Sequence, residues 1–283
     1  MTLSINLKYI LFICYLTSNI LVAQKDSKSL KNNSPYDFSL KKELPFIGVG
    51  IGLFSTAAYL SKTNTTAPFT IIELNTLNRN DINKFDRGAT YNHSISAANT
   101  SDYITYSSIV LPLLFLGEKS TRNDIFNLIL LAAEIGSITT GITHITKNTV
   151  NRARPYTYNS SFSINERRDE KSRVSFYSGH ASTTAAYSFF VAKVINDYHP
   201  EMKKGYRIGL WSFAALIPAS TSYFRVKAGK HYPTDVITGF TIGALVGFLV
   251  PQLHKKREHK KVSYYLSPYN FDGANGLSLT CKF

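Results

Sequence analysis

Cysteine and acidic residues are both scarce in this chain, and each shortage limits what the protein can be. Cys14 and Cys281 are the only cysteines among 283 residues, so the sequence holds no cysteine cluster of the zinc-binding type. Asp and Glu number 18 against 32 Lys and Arg, which gives a formal net charge of +14. A balance this basic favours anionic partners, which include nucleic acid, acidic lipid surfaces and phosphorylated substrates.

The first residues carry almost no charge. Lys8 is the only charged side chain before residue 25, and an apolar stretch from Tyr9 to Val22 ends at the small residue Ala23. This pattern predicts a signal peptide over residues 1–23. The alternative is an uncleaved N-terminal membrane anchor, which is disfavoured because the apolar stretch is short for a full span. Cleavage would leave a mature chain with one cysteine and no internal disulfide.

Strict alternation of apolar and polar residues, the mark of a half-buried strand, is missing from six long apolar segments. Most of them end at charged or turn-forming residues, which favours helices. We therefore predict an all-α fold, a bundle of about six core helices embedded in a membrane. Several segments have only 15 to 18 residues and the mean hydropathy is −0.09, so a soluble bundle is the alternative. The segments are Leu44–Leu60, Tyr103–Gly117, Ile125–Thr146, Ala181–Ile195, Ile208–Phe224 and Val236–Leu253.

Composition divides the chain into four regions. The polar leader Gln24–Glu43 is predicted to be mobile, and the polar stretch Ser61–Ser101 is too long for a simple connection, so we expect short helices within it. The predicted regions are a signal peptide or anchor (1–23), a leader with the first apolar helix and its connecting segment (24–100), a helical core (101–253), and a basic cluster with a C-terminal tail (254–283).

The last core helix and the tail each have a distinct pattern. Gly239, Gly243 and Gly247 recur every four residues and form a stripe that allows close approach of another helix. The basic cluster Lys255–Lys261 suits an anionic headgroup layer, with a solvated charged end as the alternative. Alternate residues from Leu277 to Phe283 are apolar, which predicts a short strand or hairpin.

The first polar cluster lies at the end of the third apolar segment. Lys147 and Arg154 are seven residues apart, two helical turns, so a helix that reaches Arg154 would carry both cations on one face. Pro155 is expected to end that helix at Arg154. Two cations, one of them a planar guanidinium, suit a dianionic phosphate. The alternative is a solvated or lipid-facing basic helix end.

The second cluster precedes the fourth segment and reads Ser175-Phe-Tyr-Ser178-Gly179-His180. A Ser-Gly pair that opens a helix presents a hydroxyl and backbone N–H groups, and helix N-termini of this kind bind phosphate. His180 beside them could donate a proton to a leaving oxygen. Taken alone, the cluster would be a serine N-cap with an incidental histidine.

The third cluster surrounds the start of the sixth segment. Pro233 fits the first turn of a helix, which places Asp235 within that turn and His231 just before it. An aspartate held close to a histidine fixes its tautomer and stabilises positive charge on the ring, and the other ring nitrogen is then free to attack. Arg225 adds a third cation that could bind phosphate.

The three clusters together are specific in order and spacing. On consecutive apolar segments the chain has Lys147-x6-Arg154-Pro155, then Ser178-Gly179-His180, then Arg225-x5-His231-x3-Asp235. This series resembles the type-2 phosphatidic acid phosphatase superfamily, whose pattern is Lys-x6-Arg-Pro, Pro-Ser-Gly-His and Ser-Arg-x5-His-x3-Asp. The motifs and the helix order cover roughly residues 100 to 253, and the leader and tail lie outside them.

The resemblance implies a metal-independent phosphatase that acts at a membrane on a lipid-linked phosphate or diphosphate. It implies that His231 attacks phosphorus, that Asp235 orients His231, and that His180 protonates the leaving group and then activates water. It implies neither metal nor cofactor, because three cations already neutralise the phosphate. The phosphate-binding residues that it implies are Lys147, Arg154, Ser178, Gly179 and Arg225.

Two positions depart from the family pattern. Tyr177 stands where the family has proline, and Phe224 stands where it has serine. Neither supplies the nucleophile, the acid or a main cation, so the expected reaction class is unchanged, whereas loss of the serine hydroxyl could alter the choice of substrate. Glu134 and His144 are predicted to be internal hydrogen-bonding or helix-end groups rather than ligands.

Other functions fit parts of the pattern. A soluble periplasmic acid phosphatase would use the same residues on soluble esters. A vanadate-dependent haloperoxidase would hold vanadate in the phosphate cage, although such enzymes are usually larger. A non-catalytic membrane protein that binds or transports anionic lipid would need the cations but not both histidines and Asp235.

The sidedness of the site depends on which segments span the membrane. If the signal is cleaved and Leu44–Leu60 spans, the clusters face the cytoplasm, and if that segment does not span, they face the periplasm. Basic residues are nearly equal in number on the two sides, and leaving out the phosphate-binding cations tips the count toward a periplasmic site by the positive-inside rule. The basic residues of the opposite side are Lys119, Arg122, Lys203, Lys204, Arg207 and the cluster Lys255–Lys261. We predict a periplasmic site in a bacterial-type cell envelope, with membrane lipid and not nucleic acid as the partner.

Overall fold

The computed structural model describes residues 34–64, 67–256, 263–271 and 274–282, and the predicted signal peptide lies outside them. The described chain is predominantly helical, with six long helices, so the prediction of an all-α bundle is confirmed. The α-helices are α1 (Leu40–Thr63), α2 (Ile71–Thr76), α3 (Lys84–Arg87), α4 (Ile95–Val110), α5 (Lys119–Asn123), α6 (Ile125–Val150), α7 (Ile164–Arg167), α8 (Gly179–Tyr198), α9 (Lys204–Lys227) and α10 (Pro233–His254).

Short 3₁₀-helices and one hairpin complete the described chain. Strands β1 (Ser263–Phe271) and β2 (Ala274–Lys282) pair in antiparallel register, with Ser263 opposite Lys282. The predicted strand or hairpin in the tail is therefore confirmed, as are the short helices α2 and α3 in the long polar connection. The 3₁₀-helices are Arg79–Asp81, Gly88–Tyr91, Leu111–Gly117, Pro155–Tyr158 and Glu170–Arg173.

Helix α8 lies at the centre of the bundle, where it contacts α4, α6, α9 and α10. In its first half the side chains of Ala181, Ala185 and Ala186 are fully buried, and their small size lets the neighbouring helices approach closely. In its second half, larger apolar side chains complete the core, each contributing about 1.5–3 kcal/mol by burial. That part of the core contains Leu128, Leu131, Ile135, Phe190 and Val194.

The glycine stripe of α10 packs directly on the backbone of α8. A Cβ atom at Gly239, Gly243 or Gly247 would collide with a carbonyl oxygen of α8 or its N-cap, namely that of Ser178, Ser182 or Ala186 respectively. Only glycine permits this approach, so the stripe predicted from sequence sets the distance between the two helices. It also holds the start of α10 beside the start of α8.

Three helices are long and apolar enough to cross a membrane, namely α1, α6 with the following 3₁₀-helix (Ile125–Tyr158), and α10. Their outer faces expose large apolar side chains, and Phe54, Phe126 and Leu249 are 45%, 74% and 46% exposed. Apolar surface of this extent is unfavourable in water but is well solvated by lipid tails. The three helices therefore support a membrane protein.

The start of α1 differs from the prediction. The helix begins at Leu40, and the residues just before it are packed against the end of α10 rather than mobile. Tyr36 is 1% exposed, forms a β-bridge with Lys255, and donates a hydrogen bond of 3.0 Å from its hydroxyl to Asp197. The prediction of a mobile leader is therefore wrong for residues 34–43, because sequence polarity did not reveal the buried partner of Tyr36.

The second predicted helix, Tyr103–Gly117, is also wrong in its bounds. Helix α4 begins earlier, at Ile95, where Ser94 caps it, and it ends at Val110. The 3₁₀-helix Leu111–Gly117 continues the chain, with Pro112 in its first turn. Proline lacks an N–H group and its ring crowds the preceding turn, which favours the end of the α-helix here, whereas α9 continues through Pro218.

Candidate active site

The three polar clusters meet at one end of the bundle. Helices α6 and α9 end there, and α8 and α10 begin there, so segments distant in sequence become neighbours. Backbone hydrogen bonds join them: the Ser178 N–H donates to the Asp235 carbonyl at 3.0 Å, and the Tyr156 N–H donates to the Gly229 carbonyl at 3.0 Å. The clusters therefore form one continuous polar region.

His231 and Asp235 lie at the start of α10. Pro233 occupies the first helical turn, as predicted, which places Asp235 in that turn and His231 before it. Nδ1 of His231 is 3.4 Å from Oδ2 of Asp235, and the two side chains are 1% and 0% exposed. Since Nδ1 faces the carboxylate, Nε2 is the ring nitrogen left for chemistry.

The carboxylate of Asp235 is held by three further donors. Its Oδ2 accepts hydrogen bonds from the Ser175 hydroxyl at 2.5 Å and from the Tyr232 N–H at 3.0 Å. Its Oδ1 accepts one from Arg152 at 2.6 Å. With both oxygens bound, the carboxylate cannot rotate, and its orientation toward His231 is fixed.

Arg152 and Asp86 form a charged pair behind Asp235. Nη2 of Arg152 lies 2.7 Å from Oδ2 of Asp86. The other carboxylate oxygen of Asp86, Oδ1, accepts a hydrogen bond of 3.0 Å from the Thr234 N–H. Burial acts to raise the pKa of Asp86, but hydrogen bonds from Thr234 and Arg152 outweigh it and hold the pKa below its usual value. Sequence analysis found no role for Asp86, because only the folded chain brings it to the start of α10.

Arg154 reaches the site by a different route from the one predicted. Helix α6 ends at Val150, and Asn151 adopts a left-handed conformation with φ of 49°. Arg154 therefore follows the helix in extended conformation, and the prediction that Lys147 and Arg154 share one helical face is wrong. The turn at Asn151, not helical periodicity, brings the two cations to the same site.

The three predicted cations lie around the histidines. Nζ of Lys147 is 3.7 Å from the position that a Cβ atom of Gly179 would occupy. Arg154 and Arg225 are only 7% and 6% exposed, and within the described residues their buried Nε atoms have no hydrogen-bond partner. These N–H groups are therefore available to an anion.

Burial and the neighbouring cations shift the pKa of His231 in the same direction. Burial lowers the pKa of His231 well below its usual value, and the positive charges of Arg154, Arg225 and Lys147 lower it further. The ring is therefore neutral over the physiological pH range. A neutral imidazole has the lone pair that a nucleophile needs.

The start of α8 provides hydrogen-bond donors beside Lys147. Ser178 is the N-cap, and its Oγ accepts a hydrogen bond of 3.4 Å from the Ala181 N–H. Gly179 is the first residue of a 20-residue helix, so its N–H has no partner within the helix, and the helix dipole favours an anion there. The predicted Ser-Gly helix start is present.

Asp102 is a residue of this site that sequence analysis missed. It lies in α4, and its Oδ1 is 2.8 Å from Nε2 of His180 and 3.1 Å from Nη1 of Arg225. The only signal in the sequence was a single acidic residue just before an apolar segment. Nothing there indicates a contact with residues about eighty and more than a hundred positions further on.

The two departures from the family pattern have structural explanations of different kinds. Tyr177 is fully buried, and its hydroxyl accepts a hydrogen bond of 3.0 Å from Thr143, which joins the start of α8 to α6. Phe224 is partly buried in α9 next to Arg225. At Arg225 the hydroxyl of Ser101 accepts a hydrogen bond of 3.3 Å, so a serine hydroxyl reaches this cation from another helix.

A comparison with known protein families gives a match over the part of the chain that contains the three clusters. A family model described as the PAP2 superfamily matches residues 126–259, a range that includes all three clusters. The resemblance to the type-2 phosphatidic acid phosphatase superfamily, based on Lys147…Asp235, is confirmed over this part of the chain.

Individual relatives match shorter parts of the chain. A lipid A 4'-phosphatase of Porphyromonas gingivalis is 29% identical over 79 residues, and a phosphatidylglycerophosphatase B of Bacillus subtilis is 31% identical over 86 residues. These alignments span only 29% and 42% of the relatives' own lengths. A crystal structure of a transmembrane PAP2-type phosphatidylglycerolphosphate phosphatase from Bacillus subtilis covers 75% of this chain and 98% of its own, at 19% identity and a TM-score of 0.46.

Proposed function

We propose that this protein is a metal-independent phosphatase that hydrolyses a lipid-linked phosphomonoester or diphosphate through a phosphohistidine intermediate. The observation that carries the proposal is the buried ring of His231, whose Nδ1 lies 3.4 Å from Asp235 and whose pKa is lowered by burial and by the charges of Arg154, Arg225 and Lys147. The family match supports the reaction class, and the names of both curated relatives describe phosphatases of lipids.

Covalent catalysis would proceed in two steps. First, the lone pair on Nε2 of His231 forms a bond to phosphorus, the bond from phosphorus to the leaving oxygen breaks, and protonated His180 gives that oxygen its proton. In the empty site burial and the cations lower the pKa of His180 to about 3, so this step requires the negative charge of the bound phosphate to raise that pKa. Asp235 stabilises the positive charge that develops on the ring. Next, the neutral His180 takes a proton from water, the water oxygen attacks phosphorus, and phosphate leaves as the P–N bond breaks.

The cations stabilise charge throughout both steps. Arg154, Arg225 and Lys147 would bind the non-bridging oxygens of the phosphoryl group, together with the Gly179 N–H and the Ser178 hydroxyl. Because these groups are already held in place before substrate arrives, no reorganisation energy is needed during the reaction. This fixed positive charge does for the phosphate what a divalent ion does in other phosphatases.

A groove beside the site supports a lipid substrate. It lies between α9 and α10, has a volume of about 290 Å³, and one of its lining residues, Val236, directly follows Asp235 in the chain. An acyl or prenyl chain lying there would bring its phosphate to the end of the bundle where the cations are. A soluble ester has no chain to place in the groove. The lining residues are Ala219, Ser222, Val236, Ile237, Phe240 and Thr241.

We place the site on the periplasmic face of the membrane. The support is a nearly even distribution of basic residues that favours the opposite end, with Lys203, Arg207 and Lys255, only after the phosphate-binding cations are left out. Tyr36 is at that same opposite end, bridged to Lys255. If α1 spans the membrane, a periplasmic site requires residues 34–39 to be cytoplasmic. A cleaved signal peptide would leave these residues in the periplasm, so a spanning α1, a periplasmic site and a cleaved signal cannot all hold.

Cysteine labelling tests the orientation. In a Cys14→Ser/Cys281→Ser background, Asn80→Cys reports on the site end and Lys203→Cys on the opposite end, and both positions are exposed. A membrane-impermeant maleimide should label Asn80→Cys before lysis of the inner membrane and Lys203→Cys only after it. The reverse order would place the site in the cytoplasm.

Three other functions predict different behaviour. A soluble acid phosphatase would fractionate without the membrane, and the apolar outer faces of α1, α6 and α10 disfavour it. A lipid-binding protein without catalysis would release no phosphate, although it would still bind anionic lipid. A vanadate-dependent haloperoxidase would require vanadate and peroxide for any turnover.

Phosphate release by the purified protein in detergent tests the proposal. The substrate panel contains undecaprenyl diphosphate, phosphatidic acid, phosphatidylglycerophosphate and lipid A. His231→Ala should abolish turnover, Asp235→Asn should leave a slow enzyme, and acid-labile phosphoenzyme should be trapped in the wild type. Retention of more than about a hundredth of the activity by His231→Ala, a loss below about 2.7 kcal/mol, would exclude His231 as the nucleophile.

A further inference from the structure

Glu43, Glu134 and His254 come together at the other end of the bundle from the phosphate site. They belong to the first turn of α1, the middle of α6 and the end of α10, and they are 3%, 5% and 0% exposed. From these side chains we propose a buried Zn²⁺ site that joins the three helices. The proposal is independent of the phosphatase function.

The cluster contains polar atoms that nothing else in the described chain satisfies. Both carboxylate oxygens of Glu43, both of Glu134, and Nε2 of His254 are buried without a hydrogen-bond partner among the described residues. Sequence analysis predicted an internal hydrogen-bonding role for Glu134, and among the described residues only a proton shared with Glu43 would supply such a bond. Leaving a buried polar group unpaired costs about 1–3 kcal/mol, so this many unpaired atoms in one place require a partner.

The tautomer of His254 makes the cluster a set of acceptors only. Its Nδ1 lies 2.8 Å from the Val250 carbonyl oxygen. A carbonyl accepts but cannot donate, so Nδ1 carries a proton, and in the neutral ring Nε2 presents a lone pair to the two carboxylates. An imidazole whose other nitrogen donates to a backbone carbonyl is typical of metal-ligating histidines. Three lone-pair donors that converge without a proton between them repel one another unless a cation lies among them.

The spacing of the ligand atoms is compatible with tetrahedral coordination of an ion. Nε2 of His254 is 3.4 Å from Oε1 of Glu43 and 3.5 Å from Oε2 of Glu134. Hydrogen bonds from nitrogen to oxygen have lengths of about 2.7–3.2 Å. Ligands bound tetrahedrally to Zn²⁺ at about 2.1 Å are separated by roughly 3.4 Å. All three ligand atoms lie within 4.8 Å of one another.

The ligand types and surroundings select the metal. One imidazole and two carboxylates suit Zn²⁺, whereas Mg²⁺ and Ca²⁺ prefer oxygen ligands alone and usually retain several waters. The ring of Phe46 lies 4.4 Å from that of His254 and shields the cluster from water. Glu134 and Lys147 are thirteen residues apart on α6, about 20 Å along the axis, so the ion would have no contact with the phosphate.

Metal analysis of the untagged full-length protein in detergent tests the proposal, because a histidine tag would itself bind zinc. After dialysis we expect about one Zn²⁺ per chain by inductively coupled plasma mass spectrometry. Glu134→Gln and His254→Gln should each lower the zinc content at least about tenfold. Glu118→Gln is the matched control, since it removes a carboxylate paired with His199 at 2.9 Å on the surface, and it should keep its zinc.

Thermal unfolding provides a second readout. Chelator-treated wild type should gain at least about 5 °C in Tm when ZnCl₂ is added, and Glu134→Gln should gain nothing. If the wild type holds no more zinc than Glu134→Gln and its Tm responds to neither chelator nor zinc, the carboxyls share a proton instead and the proposal is overturned. Wild-type zinc content and titration decide the question even if a variant fails to fold. Neither readout uses turnover, so failure of the zinc site and failure of the phosphatase proposal are distinguishable.

Discussion

The carboxylate of Asp102 joins His180 to Arg225, with one oxygen 2.8 Å from the imidazole Nε2 and 3.1 Å from the guanidinium. The proposed proton donor and a proposed phosphate-binding cation are therefore linked through one acidic side chain that comes from a different helix. Asp102 is 40% exposed at its side chain, so it is accessible from outside the site. Its charge orients His180 but competes with an incoming phosphate for Arg225.

Replacement of Asp102 should separate these two effects. Asp102→Asn removes the charge but keeps the size, so kcat should fall about ten- to a hundredfold because His180 loses its orienting partner. Vanadate should inhibit the variant at a lower concentration, because Arg225 no longer shares its charge with a carboxylate. Unchanged kcat together with unchanged inhibition by vanadate would show that Asp102 has neither role.

Arg152 should matter for stability and for the orientation of Asp235. Arg152→Gln leaves the buried carboxylates of Asp86 and Asp235 without their shared cation, and loss of one partner from a buried pair costs about 3–5 kcal/mol. The side chain of Arg152 is 23% exposed, so we expect the lower part of that range. Arg152→Lys should restore part of the stability. Chemical denaturation compares the three proteins, and equal unfolding midpoints would contradict the prediction.

The pH dependence of phosphoenzyme formation should reflect the lowered pKa of His231. Because burial and the neighbouring cations lower this pKa, the neutral ring persists at pH values where a free histidine would be protonated. Formation of the phosphoenzyme should therefore continue at pH values below the ordinary histidine pKa of about 6.5. Rapid-quench measurement on saturating substrate checks this. Loss of the step with a midpoint at or above pH 6.5 would show an ordinary pKa.

Chelation and vanadate should act differently on turnover. The proposed phosphate site has cations and histidines where other enzymes have metal ligands, so initial rates in EDTA should equal those without it. Vanadate should inhibit, because it mimics the five-coordinate phosphoryl transition state. Rates are to be measured briefly at low temperature, since removal of the proposed zinc would lower Tm without touching the chemistry. Loss of the initial rate with rescue by a divalent ion would indicate a metal-dependent mechanism.

Selectivity for lipid should depend on the groove between α9 and α10. The wild type should prefer long-chain lipid phosphates or polyprenyl diphosphates over p-nitrophenyl phosphate by at least about tenfold in kcat/KM, or about 1.4 kcal/mol. Ala219→Trp fills the groove and should remove most of this preference while leaving the soluble ester unchanged. Leu253→Trp, at an exposed position near the other end of α10, is the control. Equal loss for lipid and soluble ester in Ala219→Trp would show that the groove does not hold the lipid chain.

Much of the fold could be predicted because its signals are local. Apolar segments bounded by charges predicted six helices, Pro233 predicted where α10 begins, and the alternation near Leu277 predicted the hairpin. Boundaries were less accurate where a long-range contact decides them. Residues 34–39 are polar in sequence yet packed, because the partner of Tyr36 is more than 150 residues further on.

The sequence by itself determined the chemistry of the candidate site, because the types and spacing of Lys147, Arg154, His180, His231 and Asp235 are written along the chain. Only the tertiary structure decided which side chains support them. Asp86 and Asp102 enter the site from other helices, and Glu43 meets Glu134 and His254 across three helices. A contact between distant residues leaves no periodic pattern in the sequence, since it depends on how whole helices pack, and the packing is set by features such as the glycine stripe of α10.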